Sequence, residues 1–287
     1  MRGGGVPAGV PGPITSLRRL VSSGRSDAPG RVVDVLGRIG LVGYGLVHVL
    51  VAWLALLLAF GVPEGPADAG GAIGTVARTG PGLAVLALTA VGLAAFALWQ
   101  VTAAAIGFHW VEGGERFRKR VGAVSKAIAT GALAGLVVGF LVGVRGSGGD
   151  TSVRQTAGGV LALPGGRLLL GAGAVVVVVI AVSMVYTGFR RTFLGDLDLR
   201  RVSPPVRRLI TWLGVWGHLA RAVAFAVVGV LAGFAALAGD PARAGGLDAA
   251  LRTVASVPLG AVLLVAVASG FAAFGLFCLA DAATRRA

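Results

Sequence analysis

Residues 121–144 read VGAVSKAIATGALAGLVVGFLVGV. One charge, Lys126, interrupts twenty-four residues of small and branched apolar side chains. A stretch of about 18 or more residues with few charges reads as a membrane-spanning helix. A helix buried in a soluble core would carry a charged outer face, and this segment has none. In hydrocarbon every backbone N–H and C=O must be satisfied internally, which a helix does and an isolated strand does not.

Five more blocks of the same kind surround it. They run over 39–60, 82–108, 168–189, 209–238 and 259–280. Each is long enough to cross about 30 Å of hydrocarbon at about 1.5 Å per residue. Composition agrees: of 287 residues, 56% are hydrophobic and 13% charged, with mean hydropathy +0.87. Soluble domains carry about 25% charged residues. The fold class expected is therefore all-α, an integral membrane bundle of six transmembrane helices.

The net charge of +14 would suggest nucleic acid in a soluble protein. Its distribution points elsewhere. The amino-terminal stretch, the 2–3 and 4–5 loops and the carboxyl end hold eighteen Lys and Arg; the other three loops hold six. The positive-inside rule then puts both termini in the cytoplasm and accounts for the charge with no nucleic-acid partner. Residual attraction to anionic lipid headgroups is also expected. Residues 1–30 are rich in Gly, Pro, Ser and Arg without an apolar period, so a disordered basic tail is expected there.

The six blocks repeat. Tyr44, Lys126 and Arg221 fall in register, each four residues after a glycine: Gly40, Gly122 and Gly217. A proline follows 37, 38 and 37 residues later: Pro81, Pro164 and Pro258. It is expected to open the partner helix, where its missing N–H costs nothing. Each second helix then carries an aromatic pair three apart: Phe96 and Trp99, Tyr186 and Phe189, Phe274 and Phe277. Self-similarity at a fixed period is a fold-level signal. The division expected is hairpin repeats over 31–110, 111–200 and 201–287, all in one orientation.

RIGLVGYG at 38–45, GHLARAVAF at 217–225, GLAAFALWQ at 92–100 and YTGFRRTFLGDLD at 186–198 carry a resemblance. The chain resembles a bacterial membrane family known as domain of unknown function 1206, built of three tandem two-helix repeats. The resemblance covers about residue 31 to the end and implies the fold and a bacterial inner-membrane location, not an activity. The family's first-helix pattern is Arg-x-Gly-x-x-small-Arg-small. Arg221 keeps the second arginine, Lys126 keeps its charge, and Tyr44 departs from it.

Two sets of residues stand out within the spans. The polar set is Tyr44, His48, Lys126, Thr130, His218 and Arg221. Such groups in a membrane are costly and are functional candidates by default. One reading has them snorkel to the interface; the other gathers them at the bundle axis to hold an anionic headgroup or small anion. The second set is a stripe at four-residue steps, Gly131, Gly135, Gly139 and Gly143, preceded by Ala123 and Ala127. Small residues at this spacing let helices approach closely, so the stripe is expected to pack inside the bundle, with a homo-oligomer or another membrane protein as the alternative partner.

His109, Glu112 and Glu115 are too few for a metal site, and the single Cys278 excludes an intrachain disulfide. No cofactor and no metal are expected. The chain has no GxSxG, P-loop, HExxH or CxxC pattern, and Asp281 alone lies near the end of a span. These features favour a non-enzymatic module that binds lipid or a partner. A small-solute or ion transporter on a three-fold repeat is the alternative.

Overall fold

A computed structural model describes residues 13–62, 66–106, 113–143, 149–200 and 202–284. Among them are six long helices: α1 (Pro13–Ala59), α3 (Gly82–Ile106), α4 (Gly113–Leu141), α6 (Gly166–Arg190), α7 (Pro204–Ala238) and α9 (Gly260–Thr284). All six are long and apolar enough to cross a membrane. Three short helices alternate with them: α2 (Ala69–Ala77), α5 (Gly149–Leu161) and α8 (Leu247–Ala255). Each repeat is thus a long helix, a short helix and a second long helix.

Two local expectations are corrected. Helix α1 reaches back to Pro13, so residues 13–30 are helical where an unstructured tail is expected; residues 1–12 lie outside the described residues. Extending an existing helix adds one hydrogen bond per residue and needs no new nucleus. Pro81 stands directly before α3, its carbonyl accepting from Val85 N–H at 3.1 Å. Pro164 and Pro258 do not open their helices: they sit in the preceding turns, where Gly166 N–H donates to Leu163 O at 2.9 Å and Gly260 N–H to Val257 O at 2.8 Å. The residue after the proline has positive φ in both turns, Gly165 at 73° and Leu259 at 61°. Proline followed by a left-handed residue is the type II pattern.

The long helices form a ring with one break. Helix α1 packs on α3, α3 on α4, α6 on α7, α7 on α9, and α9 back on α1. Helices α4 and α6, the two long helices of the second repeat, make no packed interface. The in-register glycines show why this is a break and not a different fold. A Cβ on Gly40 would overlap Gly92 O of α3, and one on Gly217 would lie 2.6 Å from Phe274 Cβ of α9. A Cβ on Gly122 would meet nothing within 4 Å. The first and third hairpins are zipped at this point, and the second is not.

The core follows the ring. One apolar cluster joins Val51 and Ala55 of α1, Leu133 and Val137 of α4, Ala224 of α7 and Leu264 and Phe271 of α9. Burial falls toward the break: 56% of the α9 span is buried against 11% of α6. The glycine stripe on α4 turns the same way. Its start is packed, with Ala123 and Ala127 buried and Gly131 reaching Ala97. Gly135 meets nothing within 4 Å, and Gly143 lies beyond the helix with φ 76°; Gly139 is half-buried. The expected packed seam therefore ends after Gly131. Four residues overshoot one 3.6-residue turn by about 40°, so the stripe rotates off α3.

Candidate functional site

Arg221 is the centre of the intramembrane polar set. It is 9% exposed. Its Nη2 donates to the Tyr44 hydroxyl at 3.0 Å, tying α7 to α1. Its guanidinium carbon stands 4.0 Å from the Phe274 ring centroid, 5.9 Å from Tyr44 and 6.0 Å from Phe225. The short contact to Phe274 is a cation–π geometry, which attracts most strongly in a desolvated site. The Arg221 Nε is buried without a hydrogen-bond partner.

Two histidines flank this arginine. His48 Nδ1 bonds Tyr44 O at 2.8 Å, and His218 Nδ1 bonds Gly214 O at 2.7 Å. A carbonyl only accepts, so Nδ1 carries a proton in both rings and Nε2 faces away from the backbone. His48 lies 4.4 Å from the Tyr44 ring and 4.9 Å from Phe274. His218 stacks on Phe193 at 5.1 Å. Four of the six expected residues therefore gather around Phe274: Tyr44, His48, His218 and Arg221.

Lys126 and Thr130 stand apart on α4. Lys126 is exposed, on the helix that borders the break. Thr130 is buried, but its hydroxyl donates to Lys126 O at 2.7 Å within the helix. That back-bond satisfies it locally. The aromatic pairs differ in the same way: Phe274 and Phe277 are buried, whereas Tyr186 and Phe189 of the second repeat are 42% and 69% exposed. His109 and Glu112 lie outside the described residues, and the Glu115 side chain is also not described. Among the described residues no group of three His, Cys, Asp or Glu is arranged to hold a metal.

A second polar assembly lies at the opposite end of the ring, where the short helices meet. Each begins with an aspartate: Asp68 caps α2, and Asp150 and Asp248 lie in the first turns of α5 and α8. A carboxylate at a helix start accepts free N–H groups and suits the helix dipole. Each also reaches the next repeat. Gly149 N–H donates to Asp68 at 3.0 Å, Gly246 N–H to Asp150 at 2.9 Å, and Ala67 N–H to Asp248 at 2.8 Å. The three bonds form a closed cycle through all three repeats, so the outer end is joined although α4 and α6 are not.

Arg252 Nε donates to Asp248 at 2.8 Å. That bond raises the guanidinium's already high pKa, because the charged form is the donor. Burial pushes the Asp68 carboxyl above its usual range. The Gly71 N–H opposes this, and the charge of Asp248 adds to it. The aspartates, with Thr151, Arg154 and Arg252, line an open pocket of about 540 Å³. The sequence carries one signal of this cycle, an aspartate near the start of each short helix.

The comparisons agree with the three-repeat layout. A relative, "Uncharacterized protein YxxB" of Bacillus subtilis (strain 168), is 28% identical over 244 residues, covering 85% of this chain and 88% of the relative. No solved structure matches the chain. The family described as Domain of Unknown Function (DUF1206) matches at residues 39–107, 121–191 and 216–285, one match per repeat and most of the chain. The chain therefore belongs to the DUF1206 family, as a multi-pass, three-repeat membrane protein.

Proposed function

We propose that this protein is a non-catalytic membrane module that holds a lipid in the lateral cleft between α4 and α6. The observation that carries this is the open sixth junction. Gly122 has empty space where Gly40 and Gly217 touch a partner helix. Ala129, about two turns further along the same side of α4, is exposed as well. Uncovered apolar faces in a bilayer are filled by acyl chains, and a cleft between two helices orders a chain that a single face would not. The eighteen basic residues on the side of the termini support a cytoplasmic placement of that end.

A transporter would need a polar route along the ring axis. The buried cluster that joins α1, α4, α7 and α9 is apolar, which favours the lateral reading. Native mass spectrometry of the chain, delipidated and returned to phosphatidylcholine micelles, tests it. One retained lipid per chain is expected, lost on Ala129→Trp with melting unchanged. Retention of the same lipid by Ala129→Trp contradicts the cleft as its site.

A further inference from the structure

The open pocket where the short helices meet has a floor and a rim of different chemistry. The floor is the aspartate cycle. Asp68 accepts from Gly71 and Gly149 N–H, one on each oxygen, and Asp248 accepts from Ala67 N–H and Arg252 Nε. Both carboxylates are buried with every oxygen engaged. Asp150 differs. Its Oδ1 accepts from Gly246 N–H, and its Oδ2 has no donor among the described residues.

The rim is basic. Arg154 and Arg252 hold the same place in α5 and α8, each four residues after the aspartate of the first turn. Each is fixed through Nε, Arg154 to Ala244 O at 3.2 Å and Arg252 to Asp248 at 2.8 Å. Among the described residues the terminal nitrogens of both make no hydrogen bond. A guanidinium held by Nε keeps those nitrogens to donate, and their fork suits an oxyanion.

One cavity collects these groups. Asp150, Arg154 and Arg252 all line it. Two hydrogen bonds fix α5 against the residues leading into α8 at the same point, Gly246 N–H to Asp150 and Arg154 Nε to Ala244 O. The volume of about 540 Å³ falls within the ~300–1,000 Å³ of small-molecule sites. The lining has one more carboxylate than guanidinium. A simple anion is therefore opposed by the floor, and a simple cation by the rim. A solute with both charges meets both, its acid on the arginine forks and its ammonium on Asp150 Oδ2.

We propose that this pocket binds a small zwitterion, with its carboxylate or phosphate on Arg154 and Arg252 and its ammonium on Asp150. A free amino acid and the headgroup of phosphatidylethanolamine carry the same chemistry. The site makes no use of the α4–α6 cleft, so neither reading depends on the other.

The test is ligand-observed nuclear magnetic resonance of the full chain in uncharged detergent, with alanine, propionate and ethylamine as probes. Alanine carries both charges, and each of the others carries one. Alanine binds saturably, about tenfold tighter than either fragment, the order of one charge-assisted hydrogen bond. Arg154→Gln and Arg252→Gln each weaken alanine by about tenfold for the same reason. Asp150→Asn removes the preference for alanine over propionate, which a merely structural role would not do. Native mass spectrometry with equal phosphatidylethanolamine and phosphatidylglycerol reads the lipid source. A headgroup ligand gives preferential retention of phosphatidylethanolamine that the same variants lose. Melting temperatures report whether each variant is folded. Asp150→Asn keeps the oxygen that Gly246 bonds, and Arg154 is exposed, so these two decide the matter should Arg252→Gln not fold. Alanine binding no tighter than its fragments, with no variant-sensitive preference for phosphatidylethanolamine, overturns the proposal. Binding by the folded variants equal to that of wild type overturns it too.

Discussion

Gly40 and Gly122 hold the same place in successive repeats and meet opposite surroundings. The first lies against Gly92 so closely that a Cβ would overlap its carbonyl oxygen, and the second has nothing within 4 Å. The same substitution should therefore have opposite consequences. Gly40→Ala, and Gly217→Ala by the same clash, should lower stability by about 1–3 kcal/mol, the usual cost of overpacking. Gly122→Ala should be neutral or stabilising by up to ~1 kcal/mol through helix propensity. Thermal unfolding of the three variants in detergent checks this. Equal destabilisation by Gly122→Ala would mean that α4 and α6 are zipped.

The Arg221–Tyr44 bond supports a second comparison. Tyr44→Phe removes the oxygen that accepts from a buried charge and should cost about 1.5–3 kcal/mol. Arg221→Leu removes the charge as well and should cost less than Tyr44→Phe, since an apolar replacement for a buried charge is often neutral or stabilising. Unfolding of both variants and of the double substitution gives the order directly.

The aspartate cycle should behave as a unit. Asp248→Ala strands the Ala67 N–H and releases Arg252; Asp68→Ala strands the N–H groups of Gly71 and Gly149. Each should cost about 1–3 kcal/mol. Because the cycle joins all three repeats, the double substitution should cost less than the sum. Additive losses would show three independent helix caps instead.

Asp68 also sets a pH dependence whose sign follows from its burial. Its folded-state pKa is raised above the ordinary 3.8, so the fold keeps this proton to higher pH than the unfolded chain. Its contribution to stability falls as pH rises from about 3.8 through the raised value, and is constant above it. Acidification from neutral pH should therefore favour wild type relative to Asp68→Asn, which carries no titrating carboxyl there. The difference in melting temperature between the two proteins, followed through the acid range, is the readout.

Much of the architecture is legible in the residues because span length and apolar content are one-dimensional. Gly40, Gly122 and Gly217 fix the repeat register without knowledge of packing. The break is not legible, because Gly122 looks like its sisters and differs only in what faces it. The stripe from Gly131 to Gly143 misleads for a related reason. Spacing shows that small residues share a face, but not whether another helix covers it. Around Arg221, the sequence identifies the polar residues and cannot show that Phe274 from the last helix stands beneath the guanidinium. The aspartate cycle is hidden because its partners are backbone N–H groups, which leave no residue-type signal at Gly149, Gly246 or Ala67.

The central claim is that lipid occupies the α4–α6 junction. A photo-reactive benzoylphenylalanine at position 129, irradiated in native membranes, tests it most directly. The account predicts an adduct with the mass of one phospholipid on the α4 peptide. Cross-links that join α4 to α6, with no lipid adduct, would contradict it.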